Sequence, residues 1–135
     1  MINDGLNLKG KLAISLNGQV VKEVDNIVVT TGKNYVASRM KDATATAMSH
    51  MAIGSGTTNP AAGDTALETE LGRVALTSTA VSNAVVTYTA TFAAGTGTGA
   101  VTEAGILNAS SSGTLLCRTE FSVVNKGSAD SMTIT

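Results

Sequence analysis

The stretch that decides the fold is Lys11–Val24, KLAISLNGQVVKEV. Three apolar residues of its first half occupy alternate positions: Leu12, Ile14 and Leu16. Alternation of this kind is typical of a strand with one buried face. Asn17-Gly18 follows, and both residues tolerate the positive φ angles that a two-residue hairpin turn requires. The sequence therefore predicts that Lys11–Asn17 and Gln19–Val24 pair as an antiparallel hairpin.

Most of the remaining chain also has the pattern of strands. In Val85–Phe92 the aromatic side chains fall on one face and the threonines on the other, which is typical of a sheet with one wetter side. The last stretch, Met132–Thr135, is predicted to be either an edge strand or a strand that continues past the end of this sequence. Further strands are predicted at Asp25–Thr30, Met51–Ile53, Val74–Val81, Ala104–Leu107, Thr114–Phe121 and Val123-Val124.

Two segments have helical features. Gly32–Lys41 places apolar and basic residues at helical spacing, which predicts a short amphipathic helix packed on the sheet. Asp64 or Thr65 is predicted to cap a helical turn that ends at Gly72. Together these features predict one domain over residues 1–135, mainly β. We expect an antiparallel β-sandwich, jelly-roll or immunoglobulin-like, with one or two short helices.

Composition limits the classes of function. The chain has 135 residues, of which 43% are hydrophobic and only 14% charged, with a net charge of −1. Few surface charges favour a subunit that packs against others, and they favour neither nucleic acid nor a charged partner. No apolar run approaches the roughly 20 residues that span a bilayer, and the first residues lack the pattern of a signal peptide. We therefore predict a homo-oligomer without nucleic-acid or membrane binding.

No group of residues has the pattern of a catalytic, cofactor-binding or metal site. Cys117 lies in an apolar stretch, which predicts a small buried hydrophobe. His50 is the only histidine and has no carboxylate near it in sequence, so it is not expected to act as a base. The glycines of Gly95–Gly99 lack the third glycine and the following helix of a dinucleotide loop. Exposed cross-strand ion pairs, worth about 0–1 kcal/mol each, are predicted among Glu103, Arg118, Glu120 and Lys126.

The second half of the chain resembles a known group of proteins. The stretches are IGSGTTNPAAGDTALETELGR (Ile53–Arg73) and VTEAGILNASSSGTLLCRTEFSVVNKGSADSMTIT (Val101–Thr135). A Gly/Thr loop, an Asp-Thr-x-Leu-x-x-Glu turn ending near Arg, an EAG strand and an NKG…TIT ending recur in small β-rich virion proteins of tailed bacteriophages. The resemblance covers about Met51 to Thr135. Related patterns occur in head decoration proteins and in tail-associated proteins.

This resemblance implies a non-enzymatic structural protein of the virion, assembled in the host cytoplasm. The first expectation is a capsid cement or decoration protein that binds the outside of the head and bridges major capsid subunits, as a homotrimer. Alternatives are a tail, neck or fibre-attachment protein, and a glycan-binding module that uses polar loops. Contacts with the partner are expected in the loops 54–63 and 93–100. The candidate residues are Gly54, Ser55, Gly56, Thr57, Thr58, Asn59, Gly95, Thr96, Gly97 and Thr98.

Overall fold

A computed structural model describes residues 6–135 and contains nine strands and one helix in that range. In chain order they are β1 (Gly10–Leu16), β2 (Gln19–Val28), α1 (Thr30–Lys41), β3 (His50–Gly54), β4 (Glu70–Ala75), β5 (Ser78–Ser82), β6 (Val85–Phe92), β7 (Gly99–Leu107), β8 (Leu115–Lys126) and β9 (Met132–Ile134). All strands join one antiparallel sheet in the order β4-β3-β7-β8-β2-β1-β9-β6-β5. The mainly β, antiparallel class is thus confirmed.

The predicted hairpin is confirmed. β1 and β2 pair antiparallel up to Leu16 opposite Gln19. Asn17 and Gly18 form the turn with φ angles of 50° and 84°, as a two-residue turn between right-twisted strands requires. The Asn17 side chain also donates to Asp130 Oδ1 (2.9 Å) and accepts from Ser131 N (3.0 Å). The hairpin turn is therefore fixed to the segment that leads into β9.

The sheet curls because its two halves share only a short contact. β2 pairs with β8 through Ile27 opposite Arg118 and Val28 opposite Cys117, and the rest of β2 follows β1. The main core lies between the halves and draws large side chains from both. Its members include Ile14, Ile53, Phe92, Val101, Phe121, Met132 and Ile134, all 3% exposed or less. Burial of each such side chain contributes about 1.5–3 kcal/mol.

The helix predicted at Gly32–Lys41 is confirmed as α1. Arg39 and Lys41 lie in its last turn, where positive charge favours the helix dipole. Gly32 is buried against β8, and a Cβ added to it would collide with the carbonyl oxygen of Leu116. Only glycine therefore allows the helix to approach the sheet this closely.

The helical turn predicted from Asp64 to Gly72 is wrong. Residues 64–69 form no regular element, and Glu70 begins β4, which pairs with β3. The backbone N–H groups of Glu68 and Thr69 donate to the carboxylate of Glu103 instead of to helix carbonyls. A long-range acceptor has thus replaced the local ones that a helix would use.

Three strand boundaries also differ from the predictions. The predicted strand Val74–Val81 is divided, because β4 ends at Ala75 and β5 begins at Ser78, where the chain passes from one edge of the sheet to the other. β8 is continuous to Lys126, where two pieces were expected. β9 is not an edge strand, since it lies between β1 and β6.

Candidate functional site

A buried ion pair joins β7 to β8. The Arg118 Nε donates to Glu103 Oε2 at 2.8 Å, and the two side chains are 3% and 0% exposed. The residues are diagonal neighbours, because Glu103 lies opposite Glu120 and Gly105 opposite Arg118. The sequence had predicted exposed pairs at these positions, and the burial of Glu103 and Arg118 shows that this was wrong.

The Glu103 carboxylate holds the loop between β3 and β4. Its Oε1 accepts from Gly56 N (3.0 Å) and Thr69 N (2.8 Å), and its Oε2 accepts from Glu68 N (3.0 Å). Burial alone would raise the pKa of Glu103, but the backbone N–H groups and Arg118 outweigh it and hold the pKa below its ordinary value. The ionised carboxylate therefore fixes both ends of the loop at once.

The Arg118 guanidinium holds the middle of the same loop. It donates to Asp64 Oδ2 (2.9 Å) and to the carbonyl oxygen of Thr58 (3.0 Å), and Glu68 Oε2 lies 3.6 Å away. Burial would lower the pKa of Arg118, but Glu103 and Asp64 outweigh it and raise the pKa. We call Glu103, Arg118, Asp64 and Glu68 the loop clamp.

The loop clamp has no chemically free group on its central carboxylate. Four donors surround Glu103, which matches the bonding capacity of a carboxylate. Asp64 Oδ2 also accepts from Ala61 N (2.9 Å), and Glu68 Oε2 accepts from Thr58 N (2.9 Å). This arrangement positions backbone, and it leaves Glu103 neither a proton to donate nor a lone pair directed at solvent.

Glycine is required where the first candidate contact loop meets the clamp. A Cβ added to Gly54 or Gly56 would lie 2.5 Å or 2.6 Å from Glu103 Oε1, and both glycines are buried. They therefore serve the interior of the protein. Among the other candidates of this loop, Ser55 is half-buried, and the exposed ones are Thr57, Thr58 and Asn59.

The second candidate loop adjoins the same part of the sheet. Gly97 has a φ of 65°, and a Cβ added to it would lie 2.6 Å from Ile53 Cδ1. Lys126 is 1% exposed, and its Nζ donates to the carbonyl oxygens of Ala93 (2.9 Å) and Asp130 (2.7 Å). Of the four candidates here, Gly95 and Thr98 are exposed, and Thr96 and Gly97 are half-buried. That either loop contacts a partner stays a prediction.

The remaining reactive side chains are accounted for locally. Cys117 is buried as predicted, and burial raises the pKa of its thiol to about 12. The His50 Nδ1 lies 2.8 Å from Ser49 Oγ, and no hydrogen bond or ion pair in residues 6–135 joins the ring to a carboxylate. Within the same residues no cluster of three or more potential ligands for a metal ion occurs. The helix described here is too short to cross a membrane.

Comparison of the chain with protein-family models, with curated proteins and with solved structures gave no match. Function is therefore argued from the residues themselves. The sequence signal for the clamp was present, because Glu103 and Arg118 each interrupt an otherwise apolar strand. Charged residues are almost never fully buried unless they are paired.

Proposed function

We propose that this chain is a non-enzymatic structural protein of a tailed-bacteriophage virion. It acts as a capsid cement subunit that binds the outside of the head and bridges neighbouring major capsid subunits. The curled sheet serves as a β-sandwich of the jelly-roll or immunoglobulin-like kind. The observation that carries the proposal is that the motif residues of the phage resemblance, far apart in sequence, contact one another in the fold.

The first two motifs meet at the loop clamp. Asp64 belongs to the Asp-Thr-x-Leu-x-x-Glu motif and Glu103 to the EAG motif, and both bind Arg118. Leu67 of the first motif packs near Gly105 of the second, where an added Cβ would lie 3.0 Å from Leu67 Cδ2. These motif residues therefore maintain a scaffold, which is what a family of structural proteins would retain.

The third motif, NKG…TIT, builds the end of the sheet. Lys126 is buried against backbone carbonyls, and Asp130 accepts from Gly127 N at 2.8 Å. Met132 and Ile134 enter the main core with 0% and 1% exposure. This motif, too, consists of residues that hold the fold.

The surface supports association with other proteins. Val20, Val81 and Val85 are 62%, 74% and 61% exposed, although exposed β-branched side chains gain nothing in an isolated subunit. Contacts of this type, repeated over many identical copies, give firm attachment without a deep pocket, because each further contact is made at high effective concentration. A homotrimer on a threefold position of the shell would use them in this way.

A tail, neck or fibre-attachment protein is the second candidate, because the same motifs are shared by tail-associated proteins. A glycan-binding module is less well supported. Sugars usually stack on exposed aromatic faces, but Phe92 and Phe121 are 0% and 3% exposed and Tyr88 is half-buried. Only Tyr35 remains, also half-buried, with its hydroxyl bound to Met48 N.

The test is binding of the purified protein to empty heads and to isolated tails of the parent phage, with a glycan panel in parallel. The proposal predicts saturable binding to heads at a fixed number of copies per shell. Cryo-electron microscopy of the virion then locates the chain. Density at the neck, tail or fibre base and none on the shell would refute the cement role. Binding to glycans alone would refute the structural role altogether.

A further inference from the structure

The strand β9 is shorter than the two strands that flank it. It pairs through Met132, Thr133 and Ile134 with β1 on one side and with β6 on the other. Both neighbours extend further in the same direction, to Gly10 in β1 and to Val85 in β6. Past Thr135, no described residue lies between these two strands in the sheet.

The hydrogen-bonding pattern directs backbone groups of β1 into this gap. Ala13 exchanges both of its hydrogen bonds with Thr135, at 2.9 Å and 3.0 Å. In an antiparallel ladder the residue two positions away presents its N–H and C=O to the same side. Lys11 therefore directs both groups into the gap, where no described strand pairs with it.

The same reasoning applies to β6. The carbonyl oxygen of Thr89 accepts from Thr77 N at 2.7 Å, so the odd-numbered residues of β6 bond toward β5. Tyr88 and Val86 consequently direct their N–H and C=O groups toward the gap. The backbones that flank one strand stand about 9–10 Å apart, which is the width of a single inserted strand.

The side chains beside the gap divide by face. Ile14, Ile134 and Ala90 are aligned and buried, so Leu12, Tyr88 and Val86 face the same inner side. Val86 is 50% exposed, and its partner Val81 in β5 is 74% exposed. The outer side carries Lys11, Thr87 and Thr89. An inserted strand would meet apolar side chains on its inner face and polar ones on its outer face.

We propose that this gap is a strand-acceptor site that binds an extended segment of a different protein chain. The segment runs in the direction of β9, with apolar residues at alternate positions facing Val86 and polar or acidic residues facing Lys11. A folded partner is favoured over a lone peptide, because the exposed apolar surface continues past the gap to Val81 and, on the outer face, to Val85. Addition of a strand supplies affinity through the main chain and selectivity through the alternate side chains. The inference rests on the strand pairing and does not depend on the virion role.

The experiment is amide hydrogen exchange by NMR with the peptide acetyl-Val-Thr-Val-Thr-Val-Lys-amide at millimolar concentration. The amides of Lys11, Tyr88 and Val86 should exchange freely in the isolated protein and at least tenfold more slowly with the peptide. The amide of Thr87, which faces β5, should not change. A second form carries Val-Thr-Val-Thr fused after Thr135, which places the strand at high effective concentration. Its control carries Thr-Val-Thr-Val, which directs the valines to the wrong face.

Slowed exchange with the free peptide and with the first fusion, but not with the control fusion, is the expected result. Three results would overturn the proposal. One is slow exchange of these amides in the isolated protein at low micromolar concentration, which means that the gap is closed. Another is slow exchange that appears without peptide as the protein concentration rises, which assigns the site to a second copy. The third is protection by the first fusion alone, or equally by both fusions.

Discussion

Glu103 Oε2 accepts a 2.8 Å hydrogen bond from Arg118 Nε across the β7–β8 ladder, and neither side chain is more than 3% exposed. Two charges removed from water stabilise a fold only if their remaining bonding capacity is also filled. Here the loop between β3 and β4 fills it, through Gly56 N, Thr69 N and Asp64. The ion pair and the loop therefore depend on each other for their stability.

Glu103→Gln should lower the free energy of unfolding by about 3–5 kcal/mol, because it leaves Arg118 buried without its main counter-charge. Urea denaturation at neutral pH measures the change. Glu120→Gln is the matched control, since Glu120 lies opposite Glu103 in the ladder but is only half-buried, and it should change stability by no more than about 0.5 kcal/mol. Equal effects of the two substitutions would contradict the assignment.

The hairpin, the helix and most strands were predictable because their signals are local. The alternation before Asn17-Gly18 and the helical spacing after Gly32 both act within a few residues. The segment from Asp64 to Leu71 carried a local helix signal that proved wrong. Its acceptor, Glu103, lies 34 residues from Thr69 in sequence, and a reading of local propensity does not include a partner at that distance.

Acid should destabilise the protein largely through Glu103. Its pKa in the folded state lies below the ordinary value of 4.5, so folding favours the ionised form. The resulting stabilisation is complete above the ordinary pKa and is lost as the pH falls through the folded-state pKa. Urea midpoints from about pH 7 to about pH 3 should therefore fall steeply for the wild type and less steeply for Glu103→Gln. Parallel curves would show that other carboxylates account for the loss.

Gly56→Ala should lower the free energy of unfolding by about 1–3 kcal/mol, the usual cost of overpacking. The added Cβ would lie 2.6 Å from Glu103 Oε1 and 2.5 Å from Glu68 Cβ. Gly63→Ala is the control in the same loop, because an added Cβ there meets no atom within 4 Å and Gly63 is exposed. Thermal unfolding compares the two. A destabilised Gly63→Ala with an unaffected Gly56→Ala would reverse the interpretation of the loop.

Lys126→Met should remove the donor that joins Ala93 to Asp130 and leave two carbonyl oxygens without it. The cost of unsatisfied buried acceptors is about 1–3 kcal/mol each, and the loop 93–98 should become more sensitive to limited proteolysis. Lys33→Met is the control, since Lys33 is exposed on α1. Cleavage of the loop at the wild-type rate in Lys126→Met would show that other contacts hold it.

The candidate contact residues could be predicted from sequence only as loops, because composition does not reveal which side of a loop faces the interior. The glycines at 54 and 56 proved to be buried against Glu103, whereas Thr57, Thr58 and Asn59 are exposed. Similarly, the burial of Lys126 depends on Ala93, which is 33 residues away. These relations follow from the curl of the sheet, which no local pattern encodes.

If the exposed part of the first loop contacts a capsid subunit, Asn59→Arg should weaken binding to empty heads at least tenfold, which corresponds to about 1.4 kcal/mol. A bulky charge is poorly accommodated where two protein surfaces pack closely. Asn59 is exposed and forms no side-chain hydrogen bond within the described residues, so the thermal unfolding temperature should stay unchanged. Ser111→Arg, in the exposed turn before β8, is the control and should bind heads normally. Cosedimentation with heads measures both variants. Full binding by Asn59→Arg would exclude this loop from the contact, and loss of binding by both variants would point to a general effect of added positive charge.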